Sequence, residues 1–140
     1  MTGSFKTVCV VGCGAIGGWL GAGLVRAGCQ VSVFARGATL AALQSQGLRM
    51  GQEQFDVKAS GDTLALGVQD LVVVAVKSPA LRDVVRQIGP LLGPNTVVLT
   101  AMNGVPWWFF QGFGGALEGT RLQTIDPGGS LAAAIPAANV

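Results

Sequence analysis

The apolar residues of this chain fall in short unbroken runs separated by glycines and polar turns. Phe5 to Val11 is a short apolar run that predicts a strand, and Gly12 to Gly14 predicts a turn. Ala15 to Ala27 predicts a helix, with Ile16, Leu20, Leu24 and Ala27 on one face and Gly28 at its end. A second strand is expected over Val31 to Ala35, then a short helix opened by Gly37 and Thr39, running through Leu40 and Leu43 and closed by Gly47. Leu48 to Ala59 alternates weakly and predicts short strands. Leu71 to Val76 is apolar throughout, as the centre of a parallel sheet requires. Ser78 and Pro79 read as N-cap and first-turn residue of a helix carrying Leu81, Val84, Val85 and Ile88 at i, i+3, i+4 and i+7. Gly89 and Pro90 end that helix, and Gly93-Pro94-Asn95 turns into a strand over Thr96 to Thr100. Beyond Asn103 comes an aromatic run, Trp107 to Phe110, then glycines, then an Ala-rich stretch from Gly128 to Val140 with no evident cap. Its last residues, from Ile135, read as the approach to another strand.

Alternating strands and helices predict an α/β fold, a doubly wound parallel sheet with right-handed crossovers. At 140 residues one such domain is expected. Half the residues are hydrophobic and 11% are charged, well under the ~25% of ordinary domains. That leaves a membrane span or a sheet buried on both faces. The uncharged stretch between Lys6 and Arg26 approaches the ~20 residues a span needs. It holds six glycines, however, and its first part is β-branched, so strand, turn and helix account for it better than one helix. A net charge of +2 with no basic cluster excludes a nucleic-acid binder. Histidine is absent, and Cys9, Cys13 and Cys29 have no zinc spacing, so no metal site is expected. The first apolar run is too short for a signal peptide, and a reduced cytoplasmic setting is expected.

Gly12-Cys13-Gly14-Ala15-Ile16-Gly17 fits G-x-G-x-x-G between a strand and a helix, the context in which the pattern predicts dinucleotide binding in a Rossmann-type unit. Gly12 permits the tight turn, Gly14 lets a diphosphate reach the backbone, and Gly17 lets the helix pack on the strand. The helix N-terminus offers free amides to the phosphates, so Cys13, Ala15 and Ile16 belong to the same cofactor-binding turn. A helix N-terminus can lower a thiol pKa, but Cys13 reads as a small side chain filling the turn. The second strand ends Val33-Phe34-Ala35-Arg36, without the carboxylate that binds the ribose of NAD. Arg36 instead suits a 2′-phosphate, which predicts NADP(H). Lys77 follows the Leu71 to Val76 strand and Asn103 follows the strand ending at Thr100, which places both at the strand ends where such sheets bind ligands. Lys77 is expected to face the cofactor or an anionic substrate, and Asn103 to offer a donor and an acceptor. Trp107 to Phe110 reads as core or interface more than as a pocket. Arg82, Asp83 and Arg86 read as a solvated helix face.

Together the glycine turn, Arg36, the segment Val74 to Leu81 and Met-Asn-Gly-Val-Pro-Trp-Trp (Met102 to Trp108) resemble the ketopantoate reductases, also called 2-dehydropantoate 2-reductases. The resemblance covers nearly the whole chain. It implies an NADP-dependent oxidoreductase of pantothenate biosynthesis that reduces a 2-oxo acid, with Lys77 and Asn103 as the crevice lysine and asparagine near nicotinamide and substrate. It also implies a helical C-terminal domain, which in the family carries the general-acid lysine and a substrate-binding glutamate. Residues 1–140 correspond to the cofactor domain alone, incomplete at its C-terminus. On this reading the chain binds cofactor with little turnover, and its uncovered apolar surface favours self-association. Two other readings are compatible with the same residues: a non-enzymatic NADP(H)-sensing module, and a reductase of another 2-oxo acid.

Overall fold

In the computed structural model, residues 4–112 and 114–140 are described. The chain runs β1 (Thr7–Val11), α1 (Ala15–Arg26), β2 (Gln30–Phe34), α2 (Gly37–Gln46), β3 (Leu48–Met50), β4 (Glu53–Phe55), β5 (Lys58–Ser60), α3 (Thr63–Leu66), β6 (Leu71–Val74), α4 (Ser78–Val85), β7 (Val97–Thr100) and α5 (Ser130–Ala134). Five strands form a wholly parallel sheet in the order β5-β2-β1-β6-β7, and β3 and β4 form a separate antiparallel hairpin. This is the expected doubly wound α/β architecture. The weakly alternating stretch is therefore split, two strands to the hairpin and one to the sheet edge.

Alternate residues of the central strands feed two cores. Val8 and Val10 of β1, and Leu71 and Val73 of β6, join Ala22 of α1, Leu43 of α2 and Leu48 of β3 on one face. Cys9, Val11, Val72 and Val74 face the other way and meet Leu81 and Val84 of α4, Trp107 and Leu131 of α5. Burial on both faces explains unbroken apolar runs and the scarcity of charge. Each such Val or Leu contributes roughly 1.5–3 kcal/mol. Burial also pushes the Cys9 thiol up to about 11, so it is a core side chain and not a nucleophile.

Helix α1 does not pack as its large residues suggest. Its buried positions are Gly17, Gly18, Gly21 and Ala22, while Ile16 is 57% and Trp19 63% exposed. Leu20 and Leu24 flank this small face, half-buried. The face is small because the helix lies close to the sheet. A Cβ on Gly17 would overlap the Gly12 carbonyl, and one on Gly21 would lie 3.1 Å from Leu48 Cδ2. The helix ends at Ala27 with paired 6→1 and 5→2 bonds, Cys29 N to Leu24 O and Gly28 N to Val25 O, both 3.0 Å, and Gly28 at φ +91°.

Three other expectations shift. β6 stops at Val74, and Ala75 to Lys77 turn over the sheet edge after one last bond from Ala75 N to Val11 O. Lys77, not Ser78, takes the N-cap position of α4, which puts the missing amide of Pro79 in the first turn, where helix amides are unpaired anyway. The C-terminal stretch is capped after all: Asp126, 6% exposed, accepts from Leu131 N at 2.9 Å and Ala132 N at 3.0 Å. Residues Ala137–Asn139 form a 3-10 turn, and Asn139 Nδ2 donates to Thr96 O.

Gly17→Ala is expected to cost ~1–3 kcal/mol of stability, measured by denaturant unfolding, because backbone blocks the new methyl. A second prediction concerns Asp70, whose Oδ2 accepts from Lys6 N at 2.8 Å and Thr7 N at 3.1 Å and ties the start of β1 to that of β6. The Thr7 and Lys6 amides hold its carboxyl below the usual 3.8. A depressed folded pKa means the contribution is complete above the unfolded value and is lost as pH falls through the folded one. Asp70→Asn should therefore be less stable than the parent at neutral pH, with the gap closing below pH 3.8. A constant gap across that range would show that the carboxylate charge is not what matters.

Candidate functional site

The chain leaves β1 for β2 on one side and crosses to β6 on the other, so the topological switch lies between β1 and β6. Their carboxyl-end loops diverge in a parallel sheet and leave a crevice there. The loops nevertheless touch at the base: a Cβ on Gly12 would meet Val76 Cγ1 and the Ala75 carbonyl. Gly12 stands at φ +90°, a conformation open to glycine, and so permits the turn.

A groove runs along this edge in two joined stretches. One, about 770 Å3, is walled by Gly12, Gly14, Ala15, Ile16, Lys77 and Asn103 among others. The second, about 210 Å3, holds Phe34, Ala35, Arg36, Asp83 and Val84. Gly12, Val76 and Ala80 belong to both. Arg36 thus stands at one end, Lys77 and Asn103 at the other, and the glycine turn between them.

At the centre, Gly14 is the N-cap of α1, with nothing within 4 Å of where its Cβ would be. The first intrahelical bond runs from Gly18 N to Gly14 O at 2.8 Å. The amides of Ala15, Ile16 and Gly17 precede it and belong to the first turn, with no acidic side chain there to compete. Open space at a glycine beside free amides is a cradle for a phosphate, so the residues present fit a dinucleotide. At the far end, Arg36 is exposed at the N-cap of α2, its guanidinium 5.6 Å from the Phe34 ring centroid. Lys77 and Asn103 are exposed, and Lys77 Nζ has no hydrogen-bond or ion-pair partner among the described residues.

Two of the expected cofactor-binding residues, Gly17 and Cys13, have side-chain positions outside the groove, in the packing roles also expected of them. Gly17 is buried under the turn and shapes it without lining the groove. The Cys13 side chain packs against the core of the α1 face, and burial raises its thiol pKa, opposite to the lowering a helix N-terminus can cause. Ile16, expected on the packed face of α1, is a groove wall instead. Sequence reasoning missed Ala80 and Asp83 in the groove and Arg82 beside it. The signal was available: the first turns of a helix following a central strand face the crevice, whatever their polarity. Asp83 does form the exposed pair expected of a solvated face, 3.9 Å from Arg86.

A family model described as ketopantoate reductase PanE/ApbA matches residues 8–106. The chain belongs to the ketopantoate reductase family. A 2-dehydropantoate 2-reductase of Mesorhizobium japonicum is 50% identical over 129 residues, 89% of this chain and 40% of the relative. A crystal structure assigned to a ketopantoate reductase of Ralstonia solanacearum MolK2 aligns with TM-score 0.92 and 53% identity, over 98% of this chain and 44% of that one. A PanE/ApbA family ketopantoate reductase of Ralstonia eutropha JMP134 aligns with TM-score 0.64 and 36% identity, over 71% of this chain and 35% of that one. The chain thus spans less than half the length of these ketopantoate reductases. Among the described residues, no helix is long and apolar enough to cross a membrane and no group of potential metal ligands is present.

Gly14→Ala separates the phosphate role from a structural one. Gly14 lies at φ −85° in open space. The substitution should leave stability within about 1 kcal/mol of the parent, while dinucleotide affinity, measured by calorimetry, falls by about tenfold or more as the methyl fills the cradle. Unchanged affinity would remove the diphosphate from this turn.

Proposed function

We propose that these residues are the NADP(H)-binding domain of a 2-dehydropantoate 2-reductase, the cytoplasmic enzyme that reduces ketopantoate to pantoate in pantothenate biosynthesis. The observation that carries the reading is Arg36, a cation at the end of β2 in the same groove as the glycine turn. An NAD-binding site has a carboxylate at that strand end; here the strand end holds Phe34, Ala35 and Arg36. The similarity to the Mesorhizobium 2-dehydropantoate 2-reductase supports the choice of substrate.

The division of labour follows from the groove. The open side of Gly14 and the first-turn amides of α1 hold the diphosphate. Arg36 pairs with the 2′-phosphate by charge-assisted bonds, its guanidinium lying against Phe34. When bound, the nicotinamide supplies the two electrons of the reduction as hydride. Lys77 and Asn103 flank that end of the groove. The Lys77 ammonium offsets negative charge on the substrate or on the oxygen formed from its carbonyl. The Asn103 amide, one donor group and one acceptor, orients what lies beside it. With the family's general-acid lysine assigned to the other domain, residues 1–140 alone bind cofactor and turn over little, since positioning between domains supplies several powers of ten in rate.

Isothermal titration with NADPH and NADH tests this. The parent should prefer NADPH, and Arg36→Ala should lower NADPH affinity by about ten- to a hundredfold, the value of a charge-assisted bond, with NADH affinity little changed. Equal affinity for both cofactors in the parent would sink the NADP assignment. NADPH oxidation with ketopantoate, followed at 140 residues and in the longer enzyme, checks the division between domains; equal turnover in both would overturn it.

A further inference from the structure

The Arg36 end of the groove carries a second charge, of the opposite sign. This stretch, about 210 Å3, has an apolar lining that includes Val11, Phe34, Val76, Ala80 and Val84. Its charged members are Arg36, at the N-cap of α2, and Asp83, in the last turn of α4. The two border the same space, yet they form no ion pair with each other among the described residues. Along the whole groove, no other acidic side chain stands among the described lining residues.

Nothing in the fold favours a carboxylate at this position. The last turn of a helix favours cations, because its free carbonyls carry partial negative charge. The pair between Asp83 and Arg86 spans 3.9 Å between exposed side chains. That is beyond hydrogen-bonding distance and contributes little to stability. The Asp83 oxygens therefore stay open to a donor. A dinucleotide bearing a diphosphate and a 2′-phosphate would meet this carboxylate with like charge, so complementarity has to come from a donor on the ligand. The adenosine half offers two, the 6-amino group of the base and the 3′-hydroxyl of the ribose. The 3′-hydroxyl adjoins the 2′-phosphate, which Arg36 takes. The 6-amino group lies at the opposite edge of the adenosine, beyond the ring that an apolar slot would hold.

We propose that Asp83 reads the base of the dinucleotide, its carboxylate accepting a hydrogen bond from the 6-amino group of adenine. The ring takes the apolar slot at Val76, Ala80 and Val84, between Arg36 and Asp83. The groove then selects the purine as well as the phosphorylation state of the ribose. A 6-oxo purine presents an acceptor where adenine presents a donor, and two facing acceptors repel. This rests on the reading of the groove as a dinucleotide site. It adds a base-specificity residue, which neither the glycine turn nor Arg36 supplies.

Calorimetry with NADPH and its deamino analogue, in which hypoxanthine replaces adenine, tests this. The parent should bind NADPH about tenfold more tightly than the analogue, the low end for a hydrogen bond to a charged group. Asp83→Ala should bring the two affinities within about twofold of each other. Asp83→Asn should do the same, because an amide accepts from an amino group and donates to an oxo group. The ratio is the readout, since loss of a negative charge strengthens both anionic ligands alike. Asp83 is exposed, so neither variant threatens the fold. Equal affinities in the parent, or an undiminished preference in Asp83→Ala, would overturn the base contact and leave dinucleotide binding in place. Equal affinities are also what a carboxylate bound to the 3′-hydroxyl would give, as both ligands carry that group. NADH and deamino-NADH repeat the comparison without the 2′-phosphate. A preference for NADH over NADPH with the base ratio intact upholds Asp83 and defeats the NADP assignment alone. Binding of none of the four defeats both.

Discussion

The approach of α1 to the sheet is the constraint on which the site depends. Gly17 sits over the Gly12 carbonyl with no room for a methyl group, and Gly21 and Ala22 continue the same narrow face toward Val10 and Leu48. Side chains of ordinary size there would lift the helix. Its N-terminus would then leave the switch point, and the loops after β1 and β6 would lose their contact at Gly12 and Val76. The open space at Gly14 matters because the helix beneath it is held down. Fold and phosphate cradle are thus one arrangement: close packing aims the first-turn amides at the edge where the loops after β1 and β6 diverge.

The sheet itself forces chemistry to that edge. β1 and β6 are covered on both faces, so their interior admits almost nothing polar. Ser32 of the neighbouring β2, buried beside them, donates its hydroxyl to the Val8 carbonyl at 3.3 Å. Charged and hydrogen-bonding side chains can stand only where strands end. Arg36, Lys77 and Asn103 come from three loops far apart in sequence, yet all follow parallel strands and so share one rim. Parallel register, more than any single motif, gathers them.

This is why the site was more legible in the sequence than the helix packing was. The G-x-G-x-x-G turn, the absent carboxylate at Arg36 and the residues after two apolar runs are local signals, and parallel topology converts them into a place. Helix α1 misled because periodicity assigns its largest apolar residues to the core. That rule presumes an ordinary helix-to-sheet spacing, and here glycine replaces bulk, leaving Ile16 to line the groove and Trp19 exposed. The one-turn helix α3 carries too little periodicity to be seen, and the weak alternation before it does not tell the hairpin from the sheet-edge strand β5. Asp126 caps α5 from four positions before its first residue, across an intervening 3-10 turn at Pro127–Gly129, so no N-cap pattern marks it. Arg82 and Asp83 read as solvent-facing because both are exposed; what distinguishes them is which opening they border.

The two halves of the groove also recognise by different means. Where a diphosphate fits, the contacts are backbone amides and the lack of a side chain at Gly14, features that tolerate variation elsewhere in the chain. At the other end the groups are side chains, Lys77 and Asn103, carried by the loops after β6 and β7. Recognition by side chains is the kind that can change a substrate without disturbing a cofactor.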